Sequence, residues 1–108
     1  MVIFTDNFIP AKFAGYTYGP ISFIRPKYKD DTGLIEHEKT HQKQFWNTLG
    51  LAILFYTFSS TSRYKYELEA YRVQLKYSPG AVDKFALMLA TCYNVNVTEA
   101  QARADLLK

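Results

Sequence analysis

The chain has a single cysteine, Cys92, so it can form neither an internal disulfide framework nor a cysteine-rich zinc knuckle, and redox chemistry is not its theme. Five glycines and four prolines are too few for a fibrous repeat or a disordered tract. No apolar run approaches the roughly twenty residues that a membrane-spanning helix needs. The longest, Leu49 to Phe58, is about half that length and reads as buried core, with an interfacial anchor as the minor alternative. Charge of one sign is also missing as a cluster. The thirteen Lys and Arg, net charge +3, are scattered from Lys12 to Lys108, which argues against a nucleic-acid partner. Met1 to Pro10 has Asp6 and Asn7 among its apolar residues and no basic start, so no secretion signal is expected and the protein is read as cytoplasmic.

What remains is a folded domain. At 108 residues the chain holds one domain, residues 1–108, and its nine Tyr and eight Phe give a small core much of its area. Residues 2–28 are rich in β-branched and aromatic types, and the runs Phe13 to Tyr18 and Ile21 to Ile24 flank Gly19-Pro20, the signature of a hairpin. Beyond Asp30 the character turns helical. Asp31 or Thr32 caps a helix that runs to about Leu49, and Gly50 marks a break. Ser59 to Ser62 reads as a polar linker whose hydroxyls cap a helix from Arg63 to Tyr77. Ser78-Pro79 opens another helix, with Val82, Phe85, Ala86, Leu89 and Tyr93 on one face, and Thr98 with Gln101 forms a capping box for a last one. The expected fold is therefore α+β: a short N-terminal hairpin or sheet packed on one central helix and three further helices.

The chemistry is concentrated in that central helix, at His37-Glu38-Lys39-Thr40-His41. Helical residues four apart point to nearly the same side, so the two imidazoles can grip one metal ion while Glu38, about 100° around, stands beside it. This HExxH motif uses both histidines of the chain. Every residue from Glu36 to Gln44 is polar, and a helix polar all round has no face to bury unless something such as a metal supplies one. The competing reading is a surface helix with two solvated histidines.

Zinc sites of this class use three protein ligands and leave a fourth position to water. The third ligand must come from Glu67, Glu69, Asp83, Glu99 or Asp105. On the 63–77 helix Glu69 falls among Lys65, Arg72 and Lys76, a solvent face with helix-spaced ion pairs, whereas Glu67 falls between two apolar stripes. Periodicity thus favours Glu67 over Glu69.

These residues carry a resemblance. HExxH followed by Glu67-Leu68-Glu69-Ala70-Tyr71 on a later helix resembles zinc metallopeptidases of the gluzincin type within the zincins, whose ExxAD or ExxxD stretch begins with the third ligand; that position maps onto Glu67. The layout Gly15-Tyr16-Thr17-Tyr18-Gly19, then HExxH-x-x-Gln44, then Glu67 to Tyr71 is similar to small HExxH proteins of bacteriophages and covers residues of roughly 13 to 75. Tyr71 stands where such enzymes have an Asp that orients a ligand His, and Glu36 or a backbone carbonyl is the substitute expected here.

The resemblance implies a minimal zincin-like domain with one Zn2+ per chain on His37, His41 and Glu67, with Glu38 as general base in peptide-bond hydrolysis and a peptide or protein as substrate. An upstream strand, 13–18 or 21–24, would align an extended substrate. Tyr64, Tyr66, Tyr71, Arg63 and Arg72 are the candidates for stabilising the oxyanion. A phage setting adds virion packaging and assembly partners. The alternatives are a catalytically silent, zinc-stabilised structural or virion protein and a metal-free interaction module that docks on a partner or membrane through its aromatic surface and the Leu49 to Phe58 patch.

Overall fold

A computed structural model describes residues 1–108, and the fold is α+β, a three-stranded sheet with five helices. The strands are β1 (Val2–Phe4), β2 (Gly15–Tyr18) and β3 (Ile21–Ile24). They lie in the order β1-β3-β2, with β3 central, parallel to β1 and antiparallel to β2. Gly19, at φ 62°, opens the two-residue turn of the expected hairpin, a backbone angle that other residues adopt only with strain. Strand alternation puts Ser22 and Ile24 on the buried face of β3, while Phe23 faces the other way against Phe8 and Tyr18.

The helices are α1 (Thr32–Asn47), α2 (Leu51–Phe58), α3 (Ser60–Tyr77), α4 (Val82–Thr91) and α5 (Glu99–Leu106). Asp31 caps α1 by accepting from the Leu34 amide at 3.0 Å. No linker separates α2 from α3: Ser59 alone joins them and caps α3 by accepting from the Ser62 amide. At α5 the expected capping box is half formed. Thr98 Oγ1 accepts from the Gln101 amide, but the Gln101 side chain reaches forward to Asp105 rather than back to the cap.

Four helices therefore accompany α1, not three. The additional one is α2, and the expectation that Leu49 to Phe58 is buried core is overturned. Only Ala52 of α2 is buried, while Leu49 is 91% and Phe58 82% exposed. The core lies elsewhere, where α3, α4 and α5 meet, in Leu68, Tyr71, Phe85, Ala86, Leu89 and Leu106. The apolar face predicted for residues 82–93 supplies much of it.

Helices α1 and α3 run antiparallel in close contact. Gly33 approaches Gln74 and Tyr77 at one end, and Gln44 bonds Tyr66 and Glu69 at the other. The sheet covers a second side of α1. Gly15 makes that approach close, because a Cβ there would lie 3.1 Å from the Phe23 carbonyl oxygen and 3.4 Å from Cγ of Glu38. The middle of α1 is thus enclosed between β2 and α3.

Candidate metal centre

His37 and His41 sit one turn apart on α1, and Glu67 comes from the facing turn of α3. Antiparallel packing brings the three together, with their ligand-type atoms all within 4.8 Å of one another. The Nε2 atoms of both rings point at the same carboxylate oxygen: Glu67 Oε1 lies 3.0 Å from His41 and 3.4 Å from His37. His37 and Glu67 are each only 3% exposed. Glu69 is exposed and does not join them.

The other atoms of the cluster are held in place. Tyr56, on α2, donates to Glu67 Oε2 at 2.6 Å, which leaves Oε1 to the imidazoles. Gln44 Oε1 lies 2.8 Å from His41 Nδ1, so that nitrogen carries a hydrogen and Nε2 is the atom turned toward Glu67. The Gln44 amide in turn donates to the Tyr66 carbonyl and to Glu69 Oε1. Glu69 therefore accepts from Gln44 instead of forming the expected ion pairs with lysine or arginine. Glu36 does not orient a ligand either; its carboxylate is near Lys39, 3.8 Å away on the surface. Gln44 fills that role for His41, while His37 Nδ1 is buried without a hydrogen-bond partner. Tyr71 packs its ring edge-on against His37, with centroids 4.4 Å apart, and shares its hydroxyl with Tyr93.

Burial opposes a charged imidazole at His41, yet the adjacent Glu67 carboxylate outweighs it and pushes the pKa up to about 9. At Glu67 burial opposes ionisation, but the imidazoles, His41 above all, hold the carboxyl well below the usual carboxylate range. Burial and the bond to Glu67 push the Tyr56 hydroxyl far above its ordinary range, so it stays a donor. The Glu67 carboxylate therefore stays ionised in the pocket floor, with two imidazole nitrogens aimed at it. Two nitrogens and one carboxylate oxygen form the three-ligand set of an open metal site, and the residues fit a divalent cation.

Glu38 is also buried, at 4% exposure, but stands to one side of the cluster, its Oε2 3.9 Å from His37 Nε2. Thr17 of β2 donates to the other oxygen, Oε1, at 2.8 Å. Behind it, the Thr17 and Ser22 hydroxyls are 2.7 Å apart and Gln42 donates to Ser22, so the carboxylate is fixed through the sheet.

A cavity of about 590 Å³ opens over these groups. His37, Glu38, His41 and Glu67 lie on its floor, with β2 from Gly15 to Tyr18 on one wall and Ala52, Ile53 and Tyr56 of α2 on another. Of the candidate oxyanion donors only Tyr66 lines this space. Tyr64 donates to Asp105, Arg72 to the Asp105 carbonyl, Tyr71 is tied to Tyr93, and Arg63 is spent on the carbonyls of Tyr56, Thr57, Tyr93 and Asn94.

Sequence reasoning missed Tyr56, Gln44 and Thr17. Gln44 carried a signal, since a side chain three residues after a ligand His on one helix can reach its ring. Tyr56 and Thr17 carried none, because their positions depend on how α2 and β2 pack. No protein-family model, curated protein or solved structure matches this chain.

Proposed function

We propose that the protein is a zinc metallopeptidase of the gluzincin kind, with His37, His41 and Glu67 as ligands and Glu38 as general base. One observation carries this reading: a buried carboxylate that takes no part in the three-residue cluster stands beside it at the floor of an open cavity. A purely structural site is closed by its ligands and has no use for such a group. Zinc, when bound, supplies Lewis-acid polarisation of a carbonyl and acidification of water.

The chain's own residues account for the rest. Glu38 takes the proton of the attacking water and passes it to the leaving amide nitrogen. Thr17 holds one oxygen of Glu38, so the other is the one that moves the proton. Tyr56 is committed to Glu67 and orients that ligand. Strand β2 pairs with β3 on one side only and lines the cavity, so its open edge can accept an extended peptide as a further strand. Central β3 has no such edge. Tyr66 and Tyr16 also line the cavity.

Glu38→Gln tests the assignment. The amide cannot accept the water's proton, and losing a general base costs about a hundredfold to ten-thousandfold in rate. The variant is expected to fold and bind zinc as the parent does and to fail on any peptide the parent cleaves. Equal cleavage by both would remove Glu38 from the mechanism. A parent that binds zinc but cleaves nothing in an unbiased peptide library would leave the structural-protein reading in its place.

A further inference from the structure

The two imidazoles of the cluster are supported unequally. Gln44 Oε1 holds His41 Nδ1, whereas His37 Nδ1 is buried with no hydrogen-bond partner. One other buried side-chain polar atom of the protein lacks a partner, and it is Gln74 Oε1 on α3. An imidazole that binds a metal through Nε2 carries its hydrogen on Nδ1, while an amide oxygen can only accept. The two orphaned atoms are thus a donor and an acceptor.

They are also neighbours. His37 and Gln74 line a second cavity, of about 520 Å³, which shares His37 and Glu38 with the first. Two contacts across the α1–α3 seam set their relative level. The His37 ring packs on Tyr71, one turn before Gln74, and a Cβ at Gly33, one turn before His37, would lie 3.3 Å from Gln74 Cγ. Helical side chains lean toward the N-terminus of their own helix, and on antiparallel α3 that direction carries Gln74 toward His37. The other polar groups of this cavity are engaged. Arg25 donates to the carbonyls of Phe13, Ile9 and Pro10, Lys12 to that of Cys92, Asp31 Oδ1 accepts from the Leu34 amide, and the Tyr71 and Tyr93 hydroxyls bond each other. Lys84 stands at the exposed rim.

His37 Nδ1 and Gln74 Oε1 are not bonded to each other, so whatever joins them must accept from one and donate to the other. Water does both, and buried waters are held by polar groups of this kind in cavities with room for them. We propose that one buried water in the second cavity accepts from His37 Nδ1 and donates to Gln74 Oε1, which makes Gln74 the positioning residue of His37 as Gln44 is of His41. The effect on metal affinity rests on the metal-centre reading; the water itself does not.

A crystal structure of the full chain prepared without metal tests the water. An ordered water is expected about 3 Å from both atoms. No water joining the pair, or a Gln74 amide turned out to Lys84 or to solvent, would overturn the proposal. Zinc affinity, measured against a competing chelator, tests the role. Gln74→Leu removes the acceptor at similar size and should keep the parent's circular dichroism while binding zinc about ten- to a hundredfold more weakly, the usual effect of losing a group that orients a ligand. Gln74→Glu keeps an acceptor and should bind at least as tightly as the parent. Parent-like affinity in Gln74→Leu would overturn the proposal, and so would equal weakening in both variants, since Gln74 would then act by packing. A parent that shows the water but takes up no zinc would support the water and remove the metal-centre reading instead, so the two failures are told apart.

Discussion

Glu67 and Glu69 are separated by one residue on α3, yet one faces two imidazoles and the other faces solvent and a glutamine amide. Helical periodicity alone separated them, because a buried carboxylate between apolar stripes needs partners and an exposed one does not. Their substitutions should rank accordingly. Glu67→Ala is expected to lose the metal. Tyr56→Phe keeps the ligand but removes the hydroxyl that orients it, and affinity should fall by about ten- to a hundredfold, as for other groups that position ligands. Glu69→Ala should keep one equivalent of metal and stay within about 0.5 kcal/mol of the parent's stability, the usual range for a surface change. Metal content after dialysis, with a competing chelator for the intermediate case, checks the ranking. If Tyr56→Phe binds as tightly as the parent, the bond to Glu67 does not serve the ligand.

At the scale of elements, the parts legible in the sequence are those with local signals. The Gly19-Pro20 turn, the Asp31 cap and the apolar face of α4 all depend on residues close together in the chain, and each stands where its pattern puts it. Helix α2 is the instructive failure. Its residues are apolar almost all round, so the pattern carries no information about which side turns inward, and burial was the natural inference from composition alone. Tyr56 became invisible with it, since a tyrosine cannot be assigned to a carboxylate on another helix until the rotation between them is known. The last helix offers a pH test of its docking. Tyr64 on α3 donates to Asp105 on α5 at 2.6 Å, and that bond holds the Asp105 carboxyl below its ordinary range. A carboxyl lowered in the folded state contributes stability above its unfolded pKa and loses it as pH falls through the folded value. The stability lost in Tyr64→Phe should therefore be largest near neutral pH and shrink in acid, as measured by urea denaturation across that range. A difference that is constant with pH would mean that the hydroxyl contributes by packing rather than through the charged carboxylate.

For the whole molecule, what fills each half differs in kind. Around α3, α4 and α5 the buried side chains are apolar apart from Glu67, which turns toward α1. Around the sheet and α1, the buried set is dominated by Ser22, His37, Glu38, Thr40 and Gln44, with Ile24 and Leu34 the main apolar contributions. Tyr71 joins the halves, with its ring on His37 and its hydroxyl on Tyr93. Small domains with little apolar interior commonly rely on a metal staple, and anything bound only by the native state stabilises it through linkage. Removing the ion with a chelator is expected to lower the melting temperature, and an unchanged melting curve would count against the site.

The unequal filling of the two halves also bears on how the chain opens. With the ion removed, the sheet and α1 are left with hydrogen bonds between polar side chains and little oily surface to lose, whereas α3 to α5 retain their interior. Amide deuterium exchange should then resolve two cooperative units: rapid exchange along β1 to β3 and α1, slow exchange in α3 and α4. Bound metal, gripping α1 and α3 at once, should raise the protection of the first group toward that of the second, so that one small ion makes two partly independent folding units open as one.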